Sequence, residues 1–400
     1  MKPTNNLAEG NTKPSQKANL LYNPTFRSVV FQLIAVFALG SFIYTIVSNA
    51  LNNLDARGIA TGFDFLTQEA GFGIGQTLIE YDETYSYGRT FVIGLLNTAL
   101  VAVLGIIFAT LLGFTMGIAR LSSNWLVSRL AAVYIEVFRN IPLLLQIFFW
   151  YFAVLQALPS PRQSMSLGEA IFLNVRGLYL PSPVFEAGSS IVLGVFVIAI
   201  AASIVISVWA KNKQKLTGQQ TPVALIATGL CVVLPVVTYF LVGMPITAEY
   251  PVLKGFNFRG GITILPELAA LLMALSVYTA SFIAEIVRSG INAVSHGQTE
   301  AAMALGLPRS RTLKFVVIPQ ALRIIIPPLT SQYLNLTKNS SLAMAIGYPD
   351  LVSVFAGTTL NQTGQAIEII AMTMGVYLTL SLVTSALMNI YNRKVALVER

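Results

Sequence analysis

The chain has 400 residues, of which 55% are hydrophobic and only 10% charged, against about a quarter charged in soluble domains. That composition excludes an ordinary soluble fold and points to a polytopic membrane protein. A formal charge of +8 would suggest nucleic acid as the partner of a soluble protein; here the placement of the charges between spans carries the information instead.

Residues 1–27 are polar, with Lys2, Lys13, Lys17 and Arg27, and read as a cytoplasmic N-terminal tail. The run from Ser28 to Val47 is long enough to span a bilayer and too long for a signal-peptide core, so 28–48 reads as a first transmembrane helix. Residues 49–89 read as an acidic, glycine-rich loop. Further spans are expected over about 90–118, 131–157, 188–209, 222–243, 264–291, 316–334 and 365–391, eight in all. The fold class is therefore all-α. The span over 316–334 carries Arg323, Pro327 and Pro328, which neighbouring helices can accommodate. With the N-terminus inside, 18 of the 25 Lys and Arg residues fall on the inner side and 7 on the outer, as the positive-inside rule requires. Both termini are then cytoplasmic.

Several side-chain groupings stand out along this path. Gly105, Ala109, Gly113 and Gly117 form a small-residue stripe that suits close helix packing. Glu136 and Arg139 stand three apart on one helix face, and Glu285 and Arg288 repeat that spacing. Charges at membrane depth usually pair or face a cavity, so these pairs read either as a gate at the cytoplasmic mouth or as static ion pairs fixing helix register. Trp150, Tyr151 and Phe152 read as an interfacial aromatic belt. Between two apolar runs, Asn335, Lys338, Asn339, Ser340 and Ser341 crowd polar groups. An ammonium, hydroxyls and amides can hold a substrate carboxylate, but an outer polar loop with a snorkelling Lys338 explains the same residues. The single Cys231 leaves no disulfide or cysteine metal site, and the single His296 leaves no two-histidine zinc site. No phosphate-binding loop of the G-x-x-x-x-G-K-[ST] type occurs, so energy must come from a partner.

The stretch from Glu285 to Pro319 is a polar excursion between two spans. Ser295 and Gln298 can form a capping box, and Glu300 is expected in the first helical turn, where the dipole favours an acid. Ala301, Ala302, Ala304 and Leu305 favour helix. Gly306 suits a helix C-terminus and Pro308 the first turn of the next helix, which Arg309, Arg311 and Lys314 make basic. The reading is a helix-turn-helix at a membrane surface, shaped to dock into another protein.

Glu300-Ala301-Ala302, then Gly306, then Val316, Ile318 and Pro319 resemble the EAA loop of bacterial ABC-importer permeases, with Val316 and Ile318 as mild departures from its closing residues. Gly94 to Thr98, Glu136 to Gln146, Tyr278 to Ile291 and Leu336 to Leu342 extend the resemblance to permeases of the histidine, glutamate, glutamine and arginine uptake group. It covers roughly 90–157 and 264–391. Residues 158–263 interrupt it with two extra spans, a layout similar to subunits of broad-specificity L-amino-acid importers. The resemblance implies a type I importer transmembrane domain over 90–391 in a bacterial inner membrane, with 292–315 as the EAA coupling loop. It implies a second permease subunit, an ATPase dimer that holds ATP and Mg, a periplasmic amino-acid-binding protein, and membrane lipid as partners, with no nucleic acid. Neither a cofactor nor a metal is expected on this chain, and no catalytic residue. An ion-coupled secondary transporter remains the alternative; it would need an isolated acid at the bilayer midplane, whereas Glu267 and Glu368 lie near span ends, and it would leave the loop unexplained.

Overall fold

The computed structural model describes residues 24–56, 58 and 61–395; residues 1–23 of the expected tail lie outside the described residues. Helix α1 (Pro24–Ala56) carries an apolar segment, Phe26–Ala50, with none of its span buried against the rest of the chain. A covering loop with one short turn at Asp64–Thr67 then leads into α2 (Tyr87–Arg120). Its 34 residues rise about 50 Å, more than a bilayer's hydrocarbon.

Helix α3 (Trp125–Asn140) begins at Asn124, whose Oδ1 accepts the Leu126 and Val127 N–H groups. It stops before Pro142, as the residue preceding a proline favours extended backbone. Helix α4 (Leu143–Phe148) continues through wider turns to Leu155 and is bent 107° from α3. The expected span 131–157 is therefore a broken one. Straight span-length helices number seven among the described residues, or eight with this pair.

Short strands and two further spans follow. Strands β1 (Met165–Leu167), β2 (Ile171–Asn174) and β3 (Gly177–Leu180) form an antiparallel sheet completed by β8 (Ile262–Ile264). β4 (Ser182–Phe185) pairs with β5 (Ile246–Glu249), and β6 (Val252–Lys254) with β7 (Asn257–Arg259). Between β4 and β5 runs a hairpin of α5 (Ser189–Thr217) against a second span made of α6 (Val223–Thr228), wide turns over Gly229–Val233 and α7 (Leu234–Leu241). Few of its side chains are buried. The strands are the part of this region that composition did not announce: they are three or four residues each and lie where loops were expected.

β8 leads directly into α8 (Pro266–Asn292), which ends at a hairpin of α9 (His296–Ala304) and α10 (Arg309–Thr312). The sheets and this hairpin thus lie at opposite ends of one helix about 40 Å long. α10 runs on through wide turns at Leu313–Val317 into α11 (Ile318–Asn339). The whole of Arg309–Ile346 is one 38-residue span-length helix, so the expected boundary at 316 falls in mid-helix. Arg309, Arg311 and Lys314 mark where the helix enters polar surroundings, not where it starts. The wide turns precede Pro319, whose ring would meet the carbonyl four residues back in a regular helix. A helix over 352–363, ending in α12 (Leu360–Thr363), and the final α13 (Ala366–Val395) complete the chain.

Small residues set the packing. A Cβ on Gly113 would lie 2.6 Å from Ile283, and one on Gly117 2.8 Å from the Ala284 carbonyl oxygen, so α2 and α8 meet backbone to backbone. In lipid, where burial of apolar surface drives nothing, such close contact is the main attraction between helices. Two apolar clusters follow along α8: Leu268, Leu271 and Leu275 with Ile147 and Tyr348 towards the sheets, and Ile283 and Val287 with Ile325 and Leu329 towards the hairpin. A third packs Phe65 of the covering loop on Phe355 and Ile369.

Candidate coupling hairpin and substrate grooves

Helix α9 is held at its ends by backbone geometry. Ser295 occupies the N-cap position but makes no side-chain cap bond. Gln298 instead accepts from Gln320 Nε2 at 3.4 Å, so the expected capping box is not formed: the second arm offers Gln298 a partner. The helix begins at His296, as a cap at Ser295 requires, and Glu300 is its fifth residue, in the second turn and not the expected first. At the other end Leu307 N–H donates to Ala302 O and Gly306 N–H to Met303 O, at 3.1 and 2.9 Å. That closure puts Gly306 at φ +80°, with open space where a Cβ would project, so the requirement there is the left-handed backbone alone. Pro308 takes the N-cap position of α10.

The hairpin presents a definite surface. Ala302 is buried between the arms, while Glu300, Ala301, Arg309 and Arg311 are exposed. Met303 is exposed as well, and Leu305 is 84% exposed. The leucine and methionine leave apolar surface uncovered beside small residues at the tip of the hairpin. The sequence reading treated Leu305 only as a helix former; its place one residue before the closing glycine was the available signal.

Just above the hairpin, Arg288 and Glu285 form a two-point ion pair, with Arg288 Nε 3.1 Å from Glu285 Oε2. Glu136 and Arg139 do not pair. Glu136 is exposed, and the Arg139 guanidinium lies 5.3 Å from the Phe282 ring centroid on α8. Their shared helix face points Arg139 across to α8, where an aromatic ring and the Glu285 carboxylate offer better company than a solvated neighbour. Arg139, Phe282, Glu285, Ser289, Ile324 and Gln332 line a groove of about 380 Å³.

Nearer the sheet end, the structure separates the five expected substrate residues. Lys338 and Ser341 line a groove of about 570 Å³ together with Thr373, Tyr377 and Ser381 of α13. Asn335 is exposed and Asn339 half-buried, and neither lines it. Ser340 is fully buried, its hydroxyl donating to the Thr337 carbonyl at 2.7 Å. Behind the groove the Tyr377 hydroxyl donates to Asp350 Oδ2 at 3.3 Å, while Asp350 Oδ1 accepts the Ser353 N–H at 2.8 Å. Burial pushes this carboxyl up to about 7, against the helix-end N–H groups that hold it down. Asp350 was missed in the sequence, although an acid just before an apolar run is an N-cap signal.

Glu267 and Glu368, near span ends in the sequence, stand in the first turns of α8 and α13, and both are engaged. Glu267 accepts the Tyr151 hydroxyl at 2.8 Å, tying α4's extension to α8 and giving Tyr151 more than an interfacial place. Glu368 accepts the Gly62 N–H at 2.7 Å, fastening the covering loop to α13. On α2, Asn97 donates to both the Gln76 and Pro349 carbonyls at 2.9 Å.

Comparison with known proteins gives the family. Residues 109–397 match the family described as binding-protein-dependent transport system inner membrane component. The chain is 57% identical to the putative amino-acid ABC transporter permease protein YhdX of Escherichia coli, over 94% of this chain and 96% of that one. It is 53% identical to the general L-amino acid transport system permease protein AapQ of Rhizobium johnstonii, over 95% of each. With the glutamate/glutamine/aspartate/asparagine transport system permease protein BztB of Rhodobacter capsulatus it shares 42% identity, over 95% of this chain and 96% of that one.

Proposed function

The chain belongs to the family of binding-protein-dependent transport system inner membrane components, so it is the transmembrane permease subunit of an ABC importer, and from that premise we propose that its cargo is an α-amino acid and that its α9–α10 hairpin takes the stroke of a separate ATPase. The amino-acid cargo is carried over from the relatives, whose names specify amino acids. The coupling role rests on one observation above others: the second arm of the hairpin and the span above it are a single helix from Arg309 to Ile346. A push on Arg309 or Arg311 enters that helix directly, and one on Met303, Leu305, Glu300 or Ala301 enters it through the tight turn at Gly306. ATP and Mg belong to the ATPase pair, and this chain contributes no catalytic residue.

In this reading the hairpin and both termini face the cytoplasm and the sheets face outward. A paralogous permease completes the pathway, and a binding protein delivers the amino acid to the sheet end. The Lys338 groove offers an ammonium and hydroxyls to the substrate carboxylate, and the groove at Arg139 and Glu285 offers both signs of charge to a zwitterion at the inner end. The positive-inside distribution and the small volume of an amino acid relative to either groove support this order of stations.

Gly306→Asp tests the coupling role. The variant must hold a Cβ residue at φ +80°, which costs on the order of 1 kcal/mol, and it places a carboxylate beside the exposed Leu305. The expected result is a chain that inserts normally but loses most amino-acid uptake and co-purifies with less ATPase. Near-normal uptake with an intact complex would remove the hairpin from the mechanism.

A further inference from the structure

The hairpin of α5 with α6 and α7 ends in a charged tip that packing within the chain leaves uncovered. The apolar part of α5, from Ser189 to Ala210, carries no charge and rises about 33 Å, close to the roughly 30 Å of a bilayer's hydrocarbon. The returning arm, Val223–Leu241, has 19 residues and rises about 28 Å. Both arms therefore cross, and the apolar part of α5 ends where hydrocarbon gives way to headgroups. Lys211, Lys213 and Lys215 follow at once, on a helix that continues to Thr217, about 10 Å further. Trp209 marks the same level. It is exposed, as interfacial tryptophans are, and the Lys213 Nζ lies 5.2 Å from its ring centroid.

No acid answers these lysines. The sequence has no Asp or Glu between Glu186 and Glu249, and among the described residues no carboxylate lies within ion-pair distance of the three. Lys211 and Lys215 are exposed, and Lys213 is half-buried. Lys211 and Lys215 share a face, while Lys213 stands about 200° round the helix from Lys211. The three form a collar rather than a patch. A protein groove meets one side of a helix, whereas a layer of phosphates surrounds it. Of the two spans, 11% and 0% are buried within the chain, so lipid is what the hairpin meets over most of its surface.

We propose that Lys211, Lys213 and Lys215 bind the phosphate headgroups of anionic phospholipids in the inner leaflet, as a collar that holds the tip of the hairpin at that surface. An ammonium offers three donors and no acceptor, and a phosphodiester offers acceptors and a negative charge. The long methylene stems carry the charge from the apolar boundary out to the phosphates. Each basic side chain near an anionic surface adds about fivefold to binding. The effect reaches the opposite surface, because β4 leads into α5 and α7 leads into β5, and the two strands pair from Ser182 with Glu249 to Phe185 with Ile246. A tip held at one leaflet fixes the depth of this strand pair at the other. The choice of leaflet rests on the orientation proposed above; the contact itself needs only that the tip lie at a bilayer surface.

The test uses the whole complex, with partner permease and ATPase, in nanodiscs of equal parts phosphatidylcholine and phosphatidylglycerol, alike in both leaflets. Leu216, 87% exposed beside Lys215, is replaced by photoreactive p-benzoyl-phenylalanine, and the lipid cross-linked to it is identified by mass. The phosphatidylglycerol adduct is expected to exceed the phosphatidylcholine adduct about fivefold or more. That ratio should fall towards one in the Lys211→Gln, Lys213→Gln, Lys215→Gln triple variant and survive in the Lys211→Arg, Lys213→Arg, Lys215→Arg triple variant. Raising salt from about 50 to about 500 mM should lower it in the parent complex, a reading that needs no lysine variant to assemble. Basal ATP hydrolysis and subunit stoichiometry should be the same throughout. Equal adducts in the parent overturn the proposal, as does a preference that the glutamine variant keeps. A dominant adduct with another protein chain overturns it too and makes the tip a subunit contact. Because the leaflets are alike, a negative result removes the collar whichever side the tip occupies and leaves the importer reading intact.

Discussion

Lys338 shows how much a single side chain depends on its neighbours for meaning. In the sequence it is one cation in a polar run, equally suited to a substrate and to an interface. The structure sets it at the lip of a groove with Ser341, Thr373, Tyr377 and Ser381, three of which come from a helix more than thirty residues away in sequence and were not legible beside it. Ser340 withdraws into a backbone bond and cannot serve a ligand in this conformation. Removing a charged hydrogen-bond partner typically costs about 1.5–3 kcal/mol, so Lys338→Met is expected to lower uptake by roughly ten- to a hundred-fold while assembly and basal ATP hydrolysis persist. Transport into proteoliposomes, measured for several amino acids, checks this; equal uptake by variant and parent would leave Lys338 as an interfacial anchor. The same dependence on distant partners explains Arg139. Its spacing from Glu136 was read correctly as a shared face, but the face looks at Phe282 and Glu285, which only the fold brings near.

At the scale of elements, hydrophobic runs located the spans because a bilayer demands some twenty apolar residues whatever the tertiary packing. The stripe Gly105, Ala109, Gly113 and Gly117 likewise announced a close helix contact, and the buried positions of all four agree. Boundaries were less legible where polarity and helicity part company. α10 and α11 are one helix through a polar zone, and α3 and α4 are two helices through an apolar one. The short strands escaped notice because three or four residues give periodicity too little to work with. The α5–α7 hairpin carries its own test. Its charged residues within 187–248 are Lys211, Lys213 and Lys215 at one tip, and by the positive-inside rule that tip stays in the cytoplasm. A reporter active only in the periplasm should therefore work when fused after Ala187 and be silent when fused after Lys213. The reverse pattern would invert the whole arrangement and place the sheets inside.

In the coupling proposed above, the molecule is a lever worked by a separate ATPase. Sheets at one end and the α9 hairpin at the other are joined by α8, and α11 returns from the hairpin through the membrane as one rod. Glu267 and Glu368 tie helix starts to Tyr151 and Gly62. In this proposal the chain moves amino acids only when a partner hydrolyses ATP. The most direct measurement is uptake of labelled amino acid into proteoliposomes holding the complete complex, with binding protein outside and ATP inside. Uptake should require ATP, stop with vanadate, and be indifferent to collapsing proton and sodium gradients. Uptake that persists under vanadate and follows an ion gradient would contradict it.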